Sequence, residues 1–253
     1  MYHLQRFIQV MFSIYCFAVF IILLFVVFPF VVIASFFGEK GGNMIYVICI
    51  LWAHVAMFFW GIHHKNYYEA PHFGSHPVVF VFNHISYLDI PILLIAFQGQ
   101  HFRVLGKAEI SKVPVFGFVY RKAAVLVDRG SNAARARSVS ILKAILKKNI
   151  SVVIAPEGTF NLTGKPLKEF YDGAFRIAIE TQTPIKPVLF LDAFKRLSYK
   201  SIFSFSPGKS RAVFLKEVSV EGLTQNDMPE LKRMVYQQMQ ESLIKYKASW
   251  ING

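Results

Sequence analysis

Two short stretches of this chain hold the residue types that acid–base chemistry needs. Phe82-Asn83-His84-Ile85-Ser86-Tyr87-Leu88-Asp89 and Ala155-Pro156-Glu157-Gly158-Thr159-Phe160 each follow directly on a run of β-branched and apolar residues. In the first, residues 77–82 read as a buried strand that ends just before His84, and Asp89 falls where the apolar, helical run 88–97 begins. That spacing lets the Asp fold back onto the imidazole. A carboxylate on one ring nitrogen fixes the tautomer and stabilises an imidazolium, leaving the other nitrogen to take a proton from an alcohol. In the second stretch, Gly158 lets the backbone approach a ligand closely and present N–H groups to an anion. A His and an Asp five apart, or a Pro-Glu-Gly turn, also occur without function, so each stretch gains meaning from the other and from the elements around them.

Those elements alternate. Strand-like or helical runs are expected at 77–82, 88–97, 102–106, 114–122, 124–128, 131–148, 150–155, 170–182, 185–191 and 211–220, with a final helix over 228–247. The order is that of an α/β fold. Near-continuous apolar strands such as Ser151-Val152-Val153-Ile154-Ala155 suit a mostly parallel central sheet flanked by helices and buried on both faces. Both stretches then fall at strand C-termini, where such sheets bind ligands. Residues 64–76 read as a connector, and the irregular stretch 198–211 as a surface loop or a membrane-facing one.

Composition places the domain at a membrane. Hydrophobic residues make up 54% of 253, and Phe alone numbers 26, yet the net charge is +13; mean hydropathy is +0.41. Residues 7–37 and 44–61 contain no Asp, Glu, Lys or Arg. The first run exceeds the ~20 residues that span hydrocarbon, with Pro29 expected to kink it or end its regular part. The stretch Gly38-Glu39-Lys40-Gly41-Gly42-Asn43 reads as a polar turn, so residues 1–64 form an N-terminal membrane-anchor hairpin and 65–253 the catalytic domain. A secretory signal has a shorter apolar core. Only Arg6, Lys40 and Glu39 are charged within the first 64 residues, so twelve of the thirteen net positive charges lie beyond them. A basic domain after the second apolar segment favours the cytoplasmic face, and an anionic lipid surface or anionic substrate over nucleic acid, for which no binding signature is present. Cys16 and Cys49 lie in the apolar segments and indicate no disulfide framework. Basic residues from Arg135 to Lys148 recur at helical spacing, either as a solvated face or as a docking surface for an acidic protein or anionic lipid.

Taken in order, these two stretches, together with Lys107-Ala108-Glu109-Ile110, Pro114, Gly117, Val127-Asp128-Arg129 and Pro184-Ile185-Lys186-Pro187-Val188, resemble the glycerolipid acyltransferases of the 1-acylglycerol-3-phosphate acyltransferase type. The resemblance implies transfer of a fatty acyl group from acyl-CoA or acyl-acyl-carrier protein to the sn-2 hydroxyl of 1-acyl-glycerol-3-phosphate, giving phosphatidate. His84 would be the base and Asp89 its partner. No covalent acyl-enzyme is required, because a thioester is already activated, and no cofactor or metal is implied beyond the acyl donor. Ser86 is expected to cap the following helix, and Asn83 to hold the loop or, second, to aid the developing oxyanion. The resemblance gives Glu157, Gly158 and Thr159 a part in holding the acceptor. The chain departs from the family at Phe160, where an Arg thought to meet the acceptor's phosphate is common. Lys107 is the first substitute, with Arg129 and Lys168 behind it, although Arg129 could equally pair with Asp128. Phe160 also leaves open a different acceptor, such as a lyso-aminolipid. A noncatalytic lipid-binding protein of the same fold is the rival from another class.

Overall fold

The computed structural model describes residues 2–70, 76–127 and 132–251; the side chains of Tyr2, Glu39 and residues 132–136 fall outside that description. Two helices open the chain: α1 (Tyr2–Ala34) and α2 (Gly38–Phe59). α1 runs on through Pro29 instead of ending there. The stretch expected as a polar turn is the first part of α2, and the reversal is made by Ser35-Phe36-Phe37. Both helices are long and apolar enough to cross a membrane. Phe7, Ile22, Phe25, Phe30, Val47 and Phe58 are exposed, whereas Cys16, Val31, Ala34, Ala53 and Ala56 are buried. Cys16 and Cys49 are free.

The other described residues build a sheet of seven strands with helices around it: β1 (Ile62–Tyr68), β2 (Val79–Phe82), β3 (Phe102–Lys107), β4 (Ala124–Val127), β5 (Ser151–Ile154), β6 (Ile185–Phe190) and β7 (Gly208–Phe214). Their order is β1-β7-β6-β2-β5-β3-β4. Five strands are parallel, and β7 meets β6 antiparallel while pairing parallel with β1. The sheet is therefore mostly parallel, as its apolar strands require. β1 corrects the expected connector, because the sheet begins at Ile62, before the boundary expected at residue 64. β7 occupies 208–214 rather than 211–220. The helices are α3 (Asp89–Ala96), α4 (Phe116–Ala123), α5 (Asn132–Lys147), α6 (Gly173–Thr181), α7 (Ala193–Arg196) and α8 (Met228–Lys245).

α3 and α4 pack with the hairpin, while α5 and α8 each pack against α6. Right-handed crossovers put these two groups on opposite faces of the sheet. β2 and β5 are neighbours, yet β2 leads into α3 and β5 into α6. Their carboxyl ends thus open a crevice at the topological switch point, where ligands bind in such sheets. Beneath it, Phe97 of the α3 turn packs on Phe80 (4.6 Å), Phe214 (5.4 Å) and Phe102 (5.5 Å). Burying each such ring contributes roughly 1.5–3 kcal/mol, which fixes α3, and with it Asp89, against the sheet.

The hairpin is also part of this packing. Trp60 Nε1 donates to the Cys16 carbonyl (3.0 Å), and Phe205 packs edge-on against Phe17 (5.8 Å). The irregular stretch after Ser198 is tied to α1 as well, through the Phe205 N–H on Ser13 Oγ (3.1 Å). Ile202 and Phe203 of that stretch are exposed.

Candidate active site

His84 lies just past the carboxyl end of β2, and Asp89 is the first residue of α3. The chain between them doubles back. Asp89 Oδ2 accepts from His84 Nδ1 (2.7 Å) and from the N–H groups of Ile85 (2.8 Å) and Ser86 (2.9 Å). Three donors converge on a carboxylate that is 1% exposed, which orients the imidazole and places its proton on Nδ1. The His84 side chain is 25% exposed, and Nε2 is the nitrogen Asp89 does not engage. Asp89 Oδ1 is buried and has no hydrogen-bond partner among the described residues.

The neighbouring side chains hold this turn in place. Asn83 extends the β2–β6 ladder with its side chain, donating to the Phe190 carbonyl (3.1 Å) and accepting from the Phe190 N–H (2.8 Å). Its role is structural. Ser86 differs from expectation: the residue preceding the helical turn of α3 is Leu88, with no side-chain cap. Ser86 Oγ accepts from the Leu88 N–H (3.1 Å) and donates to the Leu197 carbonyl (2.6 Å), bracing the loop against the end of α7. This bond network, and its burial, leave Ser86 unsuited to be a nucleophile.

The second stretch clamps the first from across the crevice. Glu157 is fully buried, and its Oε1 accepts from the His84 N–H (2.9 Å) while Oε2 accepts from the Lys168 N–H (2.8 Å). The Asn161 N–H donates in turn to the His84 carbonyl (2.8 Å). Both backbone groups of His84 are therefore held by the loop after β5. Burial pushes the Glu157 carboxyl up to about 7, although the two N–H donors pull the other way. Gly158 stands at φ +69°, a left-handed conformation that costs a residue with a Cβ, and its N–H reaches the Ala155 carbonyl (3.0 Å). Thr159 Oγ1 accepts from Lys168 Nζ (2.8 Å). The Phe160 ring lies 4.4 Å from the His84 ring and 4.8 Å from that of Tyr87, edge to face in both cases. His84, Asp89, Glu157, Thr159, Phe160 and Lys168 thus form one cluster.

The remaining expected site residues lie elsewhere. Lys107 ends β3, two strands along from β2 on the same edge of the sheet. Arg129 and Asp128 fall outside the described residues, as does the Arg135 side chain. Lys186 is at the opposite end of the sheet, 1% exposed, with its Nζ 3.1 Å from Glu217. On α5, Arg137 and Lys147 are exposed, and Lys143 is paired with Glu180.

One feature was not assigned from the sequence. An apolar cavity of about 110 Å³ lies between the hairpin and the domain, with Leu24, Cys49, Trp52, Ile90, Leu93 and Val119 in its wall. Ile90 follows Asp89, so the cavity wall includes the turn next to the His84–Asp89 pair. The hairpin's apolar runs are read as an anchor when taken alone; their small buried face becomes visible only in the packing. Gly117, in α4 beside this cavity, approaches the Ser111 carbonyl so closely that a Cβ would stand 2.3 Å from that oxygen.

Comparison with known proteins places these features in a family. A family model described as Acyltransferase matches residues 61–191. The chain is 31% identical over 162 residues to the 1-acyl-sn-glycerol-3-phosphate acyltransferase of Cocos nucifera, covering 58% of the chain and 52% of that relative. It is 31% identical over 173 residues to 1-acyl-sn-glycerol-3-phosphate acyltransferase alpha of Homo sapiens, covering 67% of the chain and 60% of that relative. The matched region thus spans less than two thirds of either relative. The crystal structure of the 1-acyl-sn-glycerophosphate (LPA) acyltransferase PlsC from Thermotoga maritima shares the fold over 99% of both chains, with a TM-score of 0.74 at 21% identity.

Proposed function

The chain belongs to the acyltransferase family, and from that premise we propose that it is a membrane-bound 1-acyl-sn-glycerol-3-phosphate O-acyltransferase. It moves a fatty acyl group from acyl-CoA or acyl-acyl-carrier protein to the sn-2 hydroxyl of 1-acyl-glycerol-3-phosphate, and phosphatidate is the product. The observation that carries this reading is the His84–Asp89 pair at the switch point, with Nδ1 committed to Asp89 and Nε2 turned away from it.

The chemistry follows from that arrangement. His84 Nε2 takes the hydroxyl proton as the acceptor oxygen attacks the thioester carbonyl. Asp89 stabilises the imidazolium that results. The tetrahedral intermediate collapses, the C–S bond breaks, and the proton passes from Nε2 to the leaving thiolate. The new ester, the free thiol and neutral His84 remain.

The surroundings support a lipid acceptor and a chain-bearing donor. The apolar cavity beside α4 is lined on one side by the hairpin, so the end of an acyl chain seated there meets apolar walls from both the hairpin and the domain. The hairpin holds the domain at the membrane, on the cytoplasmic face by the distribution of positive charge, and exposed Arg137 and Lys147 on α5 offer cations to an anionic donor.

Phe160 against His84 favours one alternative acceptor, a lyso-aminolipid, because an aromatic ring supplies no charge for a phosphate. Turnover of labelled acyl-CoA with a panel of lysolipids tests the choice. Faster transfer to 1-acyl-glycerol-3-phosphate supports the reading above, and faster transfer to a lyso-aminolipid reassigns the acceptor. Absence of donor-dependent thiol release with either donor type overturns the enzymatic reading in favour of a lipid-binding one.

A further inference from the structure

Beside the base stands an ammonium group that the reaction scheme does not use. Lys168 is eleven residues from Glu157 in sequence, yet its two ends are tied into the Glu157–Phe160 turn. Its N–H donates to Glu157 Oε2 (2.8 Å) and its Nζ donates to Thr159 Oγ1 (2.8 Å). The other Glu157 oxygen holds the His84 N–H (2.9 Å), and the residue after Thr159 lays its ring on that of His84. The ammonium is thereby fixed on the same loop that holds the backbone of His84.

Its charge is unspent. Among the described residues no carboxylate lies within ion-pair distance of Nζ. Glu157 feels the ammonium, but its two oxygens go to backbone N–H groups. One of three Nζ protons is used on Thr159, and the centroid of the Tyr171 ring lies 6.0 Å from the ammonium. A half-buried cation held by a hydroxyl and an aromatic face, with donors left over, is arranged to receive an anion. Among the described cations, Lys168 is the one hydrogen-bonded within this turn; Lys186 is paired with Glu217 at the far end of the sheet, and Lys107 ends a strand two places away.

We propose that Lys168 is the binding residue for the phosphomonoester of the acceptor, with Thr159 as the group that positions its ammonium. This deepens the reaction proposed above and rests on it for the identity of the acceptor. It makes Phe160 a packing surface for His84 and moves the charge recognition to the far arm of the loop.

The test separates binding from turnover. The full-length protein carrying His84→Ala, in detergent micelles, is titrated with 1-acyl-glycerol-3-phosphate and with the uncharged monoacylglycerol of the same chain, with and without Lys168→Ala. The expected result is that Lys168→Ala weakens the phosphate lipid by about tenfold or more and changes monoacylglycerol little, while Lys168→Arg recovers most of the loss. Thr159→Val, which keeps the charge but frees it, falls between. Equal weakening of both lipids, which a merely structural tie would give, overturns the proposal, as does no change in either. Wild-type turnover of the same lipids judges the reaction independently: a protein that binds phosphate lipid through Lys168 but transfers no acyl group keeps this site and loses that reaction.

Discussion

Asp89 Oδ2 lies 2.7 Å from His84 Nδ1 and accepts two backbone N–H groups at the same time. One oxygen therefore both orients the imidazole and closes the turn that carries it. Asp89→Asn should cut turnover by about 10²–10⁴-fold, because a neutral amide neither fixes the tautomer as firmly nor stabilises the imidazolium. Steady-state kinetics on folded, micelle-bound variant check this; a loss under threefold would mean that the pair is structural.

Glu157 offers a test of the clamp. A Gln has one acceptor where the two N–H groups of His84 and Lys168 need two, so Glu157→Gln leaves one buried donor unmatched, at a cost of about 1–3 kcal/mol. Chemical denaturation in detergent should show this as a lowered midpoint, with turnover falling as His84 loses its fixed backbone.

The same carboxyl sets a pH dependence. Its folded value is raised from 4.5 to about 7, with desolvation the largest cause, the N–H groups of His84 and Lys168 and the Lys168 charge opposing it, and Asp89 adding to it. The folded protein then holds a proton between these values that the unfolded chain releases. Stability contributed by this group therefore falls as pH rises through that window. Unfolding midpoints measured across it should decline in the wild type and decline less in Glu157→Gln; equal slopes would show that the N–H donors prevail over burial.

Much of this architecture was legible in the sequence. The apolar strands β2, β5 and β6 announce themselves because both faces are covered, and the two loops stand at their carboxyl ends for the same reason. β1 did not, since Ile62-His63-His64-Lys65-Asn66-Tyr67-Tyr68 is an edge strand paired on one side with β7 and mostly outside the core, so it lacks the apolar run that marks a buried strand. Nor did the reversal of β7, which comes from the Phe205–Gly208 segment docking on α1 and Gly61, contacts far apart in the chain. Lys168 was legible only as one basic residue among several. Its place beside Thr159 depends on the whole loop folding back, which local spacing does not encode.

Far from the site, Lys186 is 1% exposed and leans on Glu217, itself 27% exposed. Removing the acid strands a buried ammonium. Glu217→Ala should destabilise the protein by about 3 kcal/mol, the lower end for a broken buried pair because solvent reaches the carboxylate, and Lys186→Met with Glu217→Ala should recover much of it. Thermal unfolding of the three variants checks this, and an additive double variant would contradict it.

The apolar cavity makes a prediction about the acyl chain. Cys49 and Val119 stand in its wall, so Cys49→Phe should lower turnover with long-chain donors more than with short-chain ones. Paired assays with donors of two chain lengths check this, and equal losses would show that the chain lies elsewhere.

The most direct measurement compares wild type with His84→Ala, both purified in detergent, for acyl transfer from labelled acyl-CoA to 1-acyl-glycerol-3-phosphate, alongside their recovery in the membrane fraction. Labelled phosphatidate from the wild type alone, with both proteins equally membrane-bound, is the predicted result; undiminished phosphatidate from the variant would contradict His84 as the base.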